Sequence, residues 1–111
     1  MQFAQSQKIE SQSAWVESLD DLQASEAAFS LIQAFEEVET AQTLRELAEE
    51  ADQDPQWARQ KGFNRLFDHP KESLARLAEE MPEVNLKAPD SNSPLKIMEA
   101  VVILARPRQN N

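Results

Sequence analysis

The sequence predicts an all-α fold: a small bundle of four to six short helices, with a flexible N-terminal arm. Two observations predict it. Polar residues followed by proline mark new helix starts, as at Asp54 and Pro55. Apolar residues also recur at spacings of three and four, as on one face of a helix, in Leu44, Leu47, Ala48 and Ala51.

The first residues lack any helical or strand period. Residues 1–12 are polar and rich in Gln and Ser, so they predict the flexible arm, and the helical domain is expected from residue 13. Ser18, with Asp21 three residues later, resembles a capping pair, and Ser25 is a second possible cap. The helix that follows is apolar over a wide arc, which includes Phe29, Leu31, Ile32, Phe35 and Val38.

That apolar arc cannot continue straight into the next stripe. On one ideal helix, Leu31, Phe35 and Val38 would lie nearly opposite Leu44 and Leu47. The chain is therefore expected to break between residues 39 and 43. Either threonine of this stretch can cap the new helix, Thr40 or Thr43.

The helix that starts at Pro55 contains the only glycine of the chain, Gly62. A glycine directly after Lys61 suits a left-handed helix end, with the lysine placed against the negative end of the dipole. We therefore expect a break or kink at Gly62. The alternative is a glycine inside a continuous helix, at a cost of about 1 kcal/mol relative to alanine.

The second half of the chain predicts the domain boundaries. A further set of apolar residues at helical spacing ends at Met81. Pro82 then interrupts the helix, so a helical domain is predicted over residues 13–81. Residues 82–93 are rich in Pro, Asn, Asp and Ser and predict a linker. A C-terminal helix over 94–108 is expected to pack on the domain before a tail at 109–111. Residues 101–104 suit a buried strand equally well by composition, although helix is favoured.

Composition narrows the functional classes. A chain of 111 residues suits one domain, and the absence of cysteine removes disulfides and thiolate chemistry. The net charge of −9 argues against direct binding to nucleic acid or anionic membranes. The longest apolar run is too short to span a bilayer, so a cytoplasmic protein is expected.

The charge is unevenly distributed along the sequence. Residues 36–54 contain eight acids and one arginine, whereas residues 55–78 contain five basic residues and two acids. Two interpretations remain open. The asymmetry can mark a bipolar binding surface, or it can reflect the ordinary solvated faces of a helical bundle.

No catalytic or metal-binding pattern is present, so we predict a protein that is not an enzyme and has no cofactor. His69 is the only histidine and has no triad signature around it. Asp52 and Asp54 have the first spacing of a calcium loop but lack its glycine and its third ligand. With Gly62 as the only glycine, no glycine-rich phosphate loop is possible.

Residues 47–58 resemble part of a helix-turn-helix motif. Ala48 stands where that motif needs a small residue, Ala58 would face the junction, and the helix after Pro55 is locally basic. Asp52, however, occupies the position where the turn commonly has glycine. A helix-turn-helix regulator, or an acidic partner of a nucleic-acid-binding protein, is therefore the alternative function.

The main functional hypothesis is non-catalytic protein binding by an adaptor, assembly factor or inhibitor. It uses an acidic helix face and a neighbouring aromatic and basic face, and the thin core also permits self-association. The aromatic residues Trp57, Phe63 and Phe67 more often form core, but any exposed beside a basic residue would suit an interface. The candidate partner-binding residues are Glu46, Glu49, Glu50, Trp57, Arg59, Lys61 and Arg65.

Overall fold

The computed structural model describes residues 11–107, and this part of the chain is a compact bundle of six α-helices. The predicted all-α fold is confirmed. A single 3-10 turn, Pro89–Ser91, interrupts the last connection. The helices are α1 (Gln12–Glu17), α2 (Asp21–Val38), α3 (Ala41–Ala48), α4 (Pro55–Asp68), α5 (Pro70–Glu80) and α6 (Pro94–Ala105).

Three of the helix starts are the ones that the sequence predicts. Thr40 caps α3 by accepting a hydrogen bond from the backbone N–H of Thr43. Asp54 caps α4 in the same way and is followed by Pro55 in the first turn. Ser93 caps α6, again with a proline directly after it. Each of these starts depends on local side-chain chemistry, which is visible in sequence.

The predicted cap of α2 is wrong. The cap is Asp20, which accepts from the backbone of Gln23 while the Gln23 side chain accepts from the backbone of Asp20. This reciprocal pair satisfies two free N–H groups, which a single serine cannot do. Ser18 instead ends α1, where its hydroxyl donates to the Trp15 carbonyl at 2.6 Å. Ser25 lies inside α2.

The predicted break at Gly62 is also wrong, because α4 continues through it. A Cβ at Gly62 would lie 2.6 Å from Val101 Cγ1 and 2.7 Å from the Val101 carbonyl oxygen. Val101 belongs to α6, against which α4 packs most extensively. The glycine therefore allows two helix backbones to approach closely, and it does not end a helix.

The last helix is the centre of the bundle. α6 contacts α2, α3, α4 and α5, and it is buried around most of its circumference. Residues 101–104 are helical, as favoured from the sequence. Leu95 is an exception on this helix, with 46% of its surface exposed. Within residues 11–107, no helix combines the length and apolar character needed to cross a membrane.

The segment predicted as a linker is part of the core. Residues 82–93 contain no α-helix, but Val84 and Leu86 are completely or almost completely buried. Gln12 fastens this segment to the start of the chain. Its amide donates to the carbonyls of Val84 and of Pro82, the latter at 3.2 Å, and its oxygen accepts from the Leu86 N–H at 2.6 Å. Apolar burial and these bonds fix the segment in place.

The start of the described chain also differs from the prediction. Residues 1–10 of the expected arm, and residues 108–111 at the other end, lie outside the described residues. Ser11 caps α1 and Gln12 is its first residue, so the helical part begins before the predicted boundary at residue 13. The bonds from Gln12 to residues 82–86 explain the earlier start, because they tie it to the domain.

Replacing Gln12 with alanine is expected to lower the free energy of unfolding by about 1–3 kcal/mol. The change leaves the Leu86 N–H and the Val84 carbonyl without partners in a part-buried position. Chemical denaturation of the purified protein measures it. Gln60→Ala, at an exposed position of α4, is the matched control and should stay within about 0.5 kcal/mol. Equal stability of the two variants would show that the Gln12 hydrogen bonds make no net contribution to holding residues 82–86 in place.

Candidate functional site

The three acidic candidates lie together at the end of α3. Glu46, Glu49 and Glu50 are all exposed, at the last turn of the helix and directly after it. Glu50 faces the end of α6, where its carboxylate lies 3.5 Å from the Arg106 guanidinium. This is an exposed acidic face with one weak ion pair at its edge, which agrees with both interpretations of the acidic stretch.

Trp57 belongs to a small core cluster between α4 and α6. It is half-buried and packs against Ala51, Ala58, Val102 and Ala105. Its position near the acidic face leaves part of the ring accessible. Its contacts with these four residues are those of a side chain at the edge of the core.

Arg59 has a structural role. Its Nη1 donates to the Glu39 carboxylate at 2.6 Å. The guanidinium carbon also lies 5.8 Å from the ring centres of both Phe35 and Phe63, which themselves pack edge to face. Ion pairing and cation–π contact hold this arginine against the core. These contacts engage the guanidinium, while 38% of the side chain stays exposed.

Lys61 and Arg65 are exposed on α4. Arg65 lines a small surface cavity of about 220 Å³ with His69, Ser73 and Arg76, and its carbonyl accepts from the buried Ser73 hydroxyl at 2.9 Å. Arg76 already pairs with Glu80 at 3.0 Å. The seven candidates therefore lie on two parts of the fold. The three acids are at the end of α3, whereas the other four are spread along α4, where helical spacing places Trp57 and Arg59 on different sides.

The geometry between α3 and α4 differs from a standard helix-turn-helix. The connection covers residues 49–54, whereas that motif has a turn of about three to four residues. Asp52 and Gln53 have positive φ angles of 80° and 62°, in the left-handed region that favours glycine. Asp52 therefore has the backbone conformation that glycine adopts at the turn of that motif. The connection around it, however, is longer than the turn of the motif.

A groove lies between the start of α2 and the junction of α4 with α5. Its volume is about 680 Å³, and its apolar lining comes from Phe67, Pro70 and Ala75. Pro70 directly follows the break at His69, where the backbone leaves the helical region. Because α4 ends one residue after Phe67, this ring stays outside the helix packing, and 60% of its surface is exposed.

Two further exposed apolar side chains lie on the side of α2 that carries Ser25. Ser25 lines the groove, and Leu22 and Phe29 lie three residues before and four residues after it, on the same side of the helix. Leu22 is 68% exposed and Phe29 is 51% exposed. We call the groove, together with Leu22 and Phe29, the Phe67 surface. Complete burial of one such side chain stabilises a complex by about 1.5–3 kcal/mol.

The groove has an acidic rim. Four carboxylates line it, those of Glu17, Asp21, Asp68 and Glu72, against one lysine. That lysine, Lys71, donates to the Glu17 carbonyl at 3.3 Å and so closes one side of the groove. His69 Nδ1 lies 3.9 Å from the Glu72 carboxylate. Four carboxylates against one lysine therefore give the groove a negative charge beside its apolar lining.

Sequence analysis did not identify the Phe67 surface. The aromatic residues Phe63 and Phe67 are of a kind that more often forms core, and the sequence leaves open only in general terms that an exposed one beside a basic residue suits an interface. Similarly, Phe29 was included in the wide apolar arc of α2. The available signal was the width of that arc, because one helix cannot bury so many large side chains against its neighbours.

Other acidic residues of the described chain do not suggest a metal centre. Within residues 11–107, no three His, Asp or Glu side chains are arranged to hold a metal ion.

The pKa of the Glu83 carboxyl lies below its usual range, because its own backbone N–H donates to it and the Lys96 ammonium also donates to it at 3.1 Å. This exposed pair holds the connection before α6 and does not line the groove.

Comparison with known proteins gave no match to a family model, to a curated protein or to a solved structure.

Proposed function

We propose that the protein is a non-catalytic protein-binding module of the cytoplasm, an adaptor, assembly factor or inhibitor, and that it binds through the Phe67 surface. The observation that supports this most is the exposure of Phe67 in the groove, together with that of Leu22 and Phe29 on the side of α2 that carries the groove residue Ser25. Large exposed apolar residues that share one region are typical of protein interfaces. Aromatic residues also contribute much of the binding energy at such surfaces.

This proposal moves the binding surface away from the residues that the sequence indicated. Arg59 and Trp57 are largely occupied by contacts within the fold. The acids Glu46, Glu49 and Glu50 have no exposed large apolar side chain among their neighbours on α3. They remain candidates for a secondary electrostatic contact, and they provide a control surface for the experiments below.

Affinity capture from the native host tests the proposal, with bound proteins quantified by mass spectrometry. We expect Phe67→Ser to lower the recovery of a stoichiometric partner by about tenfold or more, because it removes a central aromatic contact. The fold should be unaffected, since this side chain is mostly exposed. Leu95→Ser, at another exposed apolar position outside the groove, is the matched control and should retain the partner.

Recovery that is unchanged by Phe67→Ser would contradict the proposed surface. A triple variant replaces three acids with glutamine: Glu46→Gln, Glu49→Gln and Glu50→Gln. Loss of the partner in this variant instead would show that the binding site is the acidic face of α3. Light scattering of the purified chain identifies the case in which the partner is a second copy. A gel shift that weakens steeply with salt would instead support the helix-turn-helix alternative.

A further inference from the structure

We infer that the occupant of the Phe67 surface is a basic amphipathic helix of another protein. This inference rests on the proposed function and specifies the chemistry of the partner. Two features of the surface support it: the spacing of the exposed apolar residues and the charge of the groove rim.

The apolar spacing suits a helix. Leu22 and Phe29 lie seven residues apart on α2, which is two helical turns or about 10 Å along the axis. A second helix that runs beside α2 repeats its own apolar side chains at the same interval. Phe67, across the groove from Ser25, provides a third apolar contact on the other side of such a ligand.

The charge of the rim selects a basic ligand. Glu17, Asp21, Asp68 and Glu72 line the same groove as its apolar residues, and lysine or arginine residues on the polar face of the ligand helix can pair with them. A second copy of this chain is disfavoured as the occupant. In a two-fold symmetric contact, it would bring the same four carboxylates against each other.

Two of these acids lie at helix ends beside the groove. Glu17 is the last residue of α1 and Asp68 is the last residue of α4. Asp68 also lies two residues before Pro70, so its charge opposes the dipole of α4 and favours that of α5. Both carboxylates add negative potential to the groove.

The test is a fluorescence anisotropy titration with a labelled synthetic peptide of about 18 residues, long enough to form a helix. The peptide contains leucine at helical spacing on one face and lysine elsewhere. A second peptide has glutamate in place of every lysine, and a third has the leucines scrambled. We expect the first peptide to bind the full-length protein and the other two to bind at least about tenfold more weakly.

Two protein variants locate the site. Glu17→Gln with Asp68→Asn is expected to weaken binding of the lysine peptide by about threefold to tenfold, which is typical of two partly exposed charge pairs. The melting temperature should change little, because both side chains are exposed and Asp68 acts in opposite senses on the dipoles of α4 and α5. Glu46→Gln with Glu49→Gln makes the same change of charge at the end of α3 and should leave binding unchanged.

The inference is overturned if the lysine peptide fails to bind, if the glutamate peptide binds as tightly, or if both double variants weaken binding equally. None of these three results bears on the proposed function, which affinity capture with Phe67→Ser tests separately. A host partner lost on Phe67→Ser, with no binding of the lysine peptide, would retain the protein-binding surface and reject its basic-helix ligand. Failure of both experiments would reject both statements.

Discussion

Phe35→Ala is expected to lower the free energy of unfolding by about 3–5 kcal/mol. Phe35 is completely buried and packs edge to face on Phe63, with ring centres 5.3 Å apart. Removing the ring leaves a large cavity at the centre of the bundle and takes away the aromatic contact of Arg59. A small domain has a total stability of about 5–15 kcal/mol, so the variant is expected to be partly unfolded at moderate temperature.

Phe29→Ala is the matched control, since it removes the same side chain from the same helix. Phe29 is 51% exposed, so the loss of stability should be about 1 kcal/mol, well below that of Phe35→Ala. Urea denaturation measures both variants. Phe29→Ala should also weaken binding of the partner while the protein stays folded. Phe35→Ala, in contrast, acts on the stability of the fold. Similar destabilisation by the two variants would show that Phe29 is part of the core.

Gly62→Ala is expected to destabilise the protein by about 2 kcal/mol, although alanine is the better helix former. The new methyl group would overlap Val101 Cγ1 and, more seriously, the Val101 backbone carbonyl, which cannot rotate away. Overpacking of this kind costs about 1–3 kcal/mol or more. The gain in helix propensity is only about 1 kcal/mol.

Thermal and urea denaturation of Gly62→Ala measure this effect, with Asn64→Ala as the control at an exposed position of the same helix. Combining Gly62→Ala with Val101→Ala removes the side-chain overlap but leaves the carbonyl overlap. The double variant should therefore show a favourable coupling that falls short of full rescue. A Gly62→Ala protein as stable as Asn64→Ala would contradict the close packing of α4 on α6.

The parts of the fold that follow from local chemistry were predictable from sequence. A cap such as Asp54 and a proline such as Pro94 act on residues within one helical turn, so their effect is visible in a short stretch. Gly62 was misinterpreted because its neighbour in space, Val101, is distant in sequence. A helix-ending glycine and a close-packing glycine look the same without that neighbour.

The candidate site was less predictable than the fold. Periodicity places a residue on a face of a helix, but it does not show how far the neighbouring helices extend along that face. Phe63 and Phe67 share a face, yet only Phe63 reaches the core, because α4 ends beside Phe67. The acids of the rim come from α1, α2, α4 and α5, so no single stretch of sequence contains the groove.

Site-specific photo-crosslinking in the native host tests most directly whether the Phe67 surface binds a protein. The photoreactive amino acid p-benzoylphenylalanine replaces Phe67 in one variant and Glu46 in another, both at exposed positions. We predict a discrete crosslinked product with another protein from position 67 and none from position 46. A product from position 46 alone, or none from either position, would contradict the account.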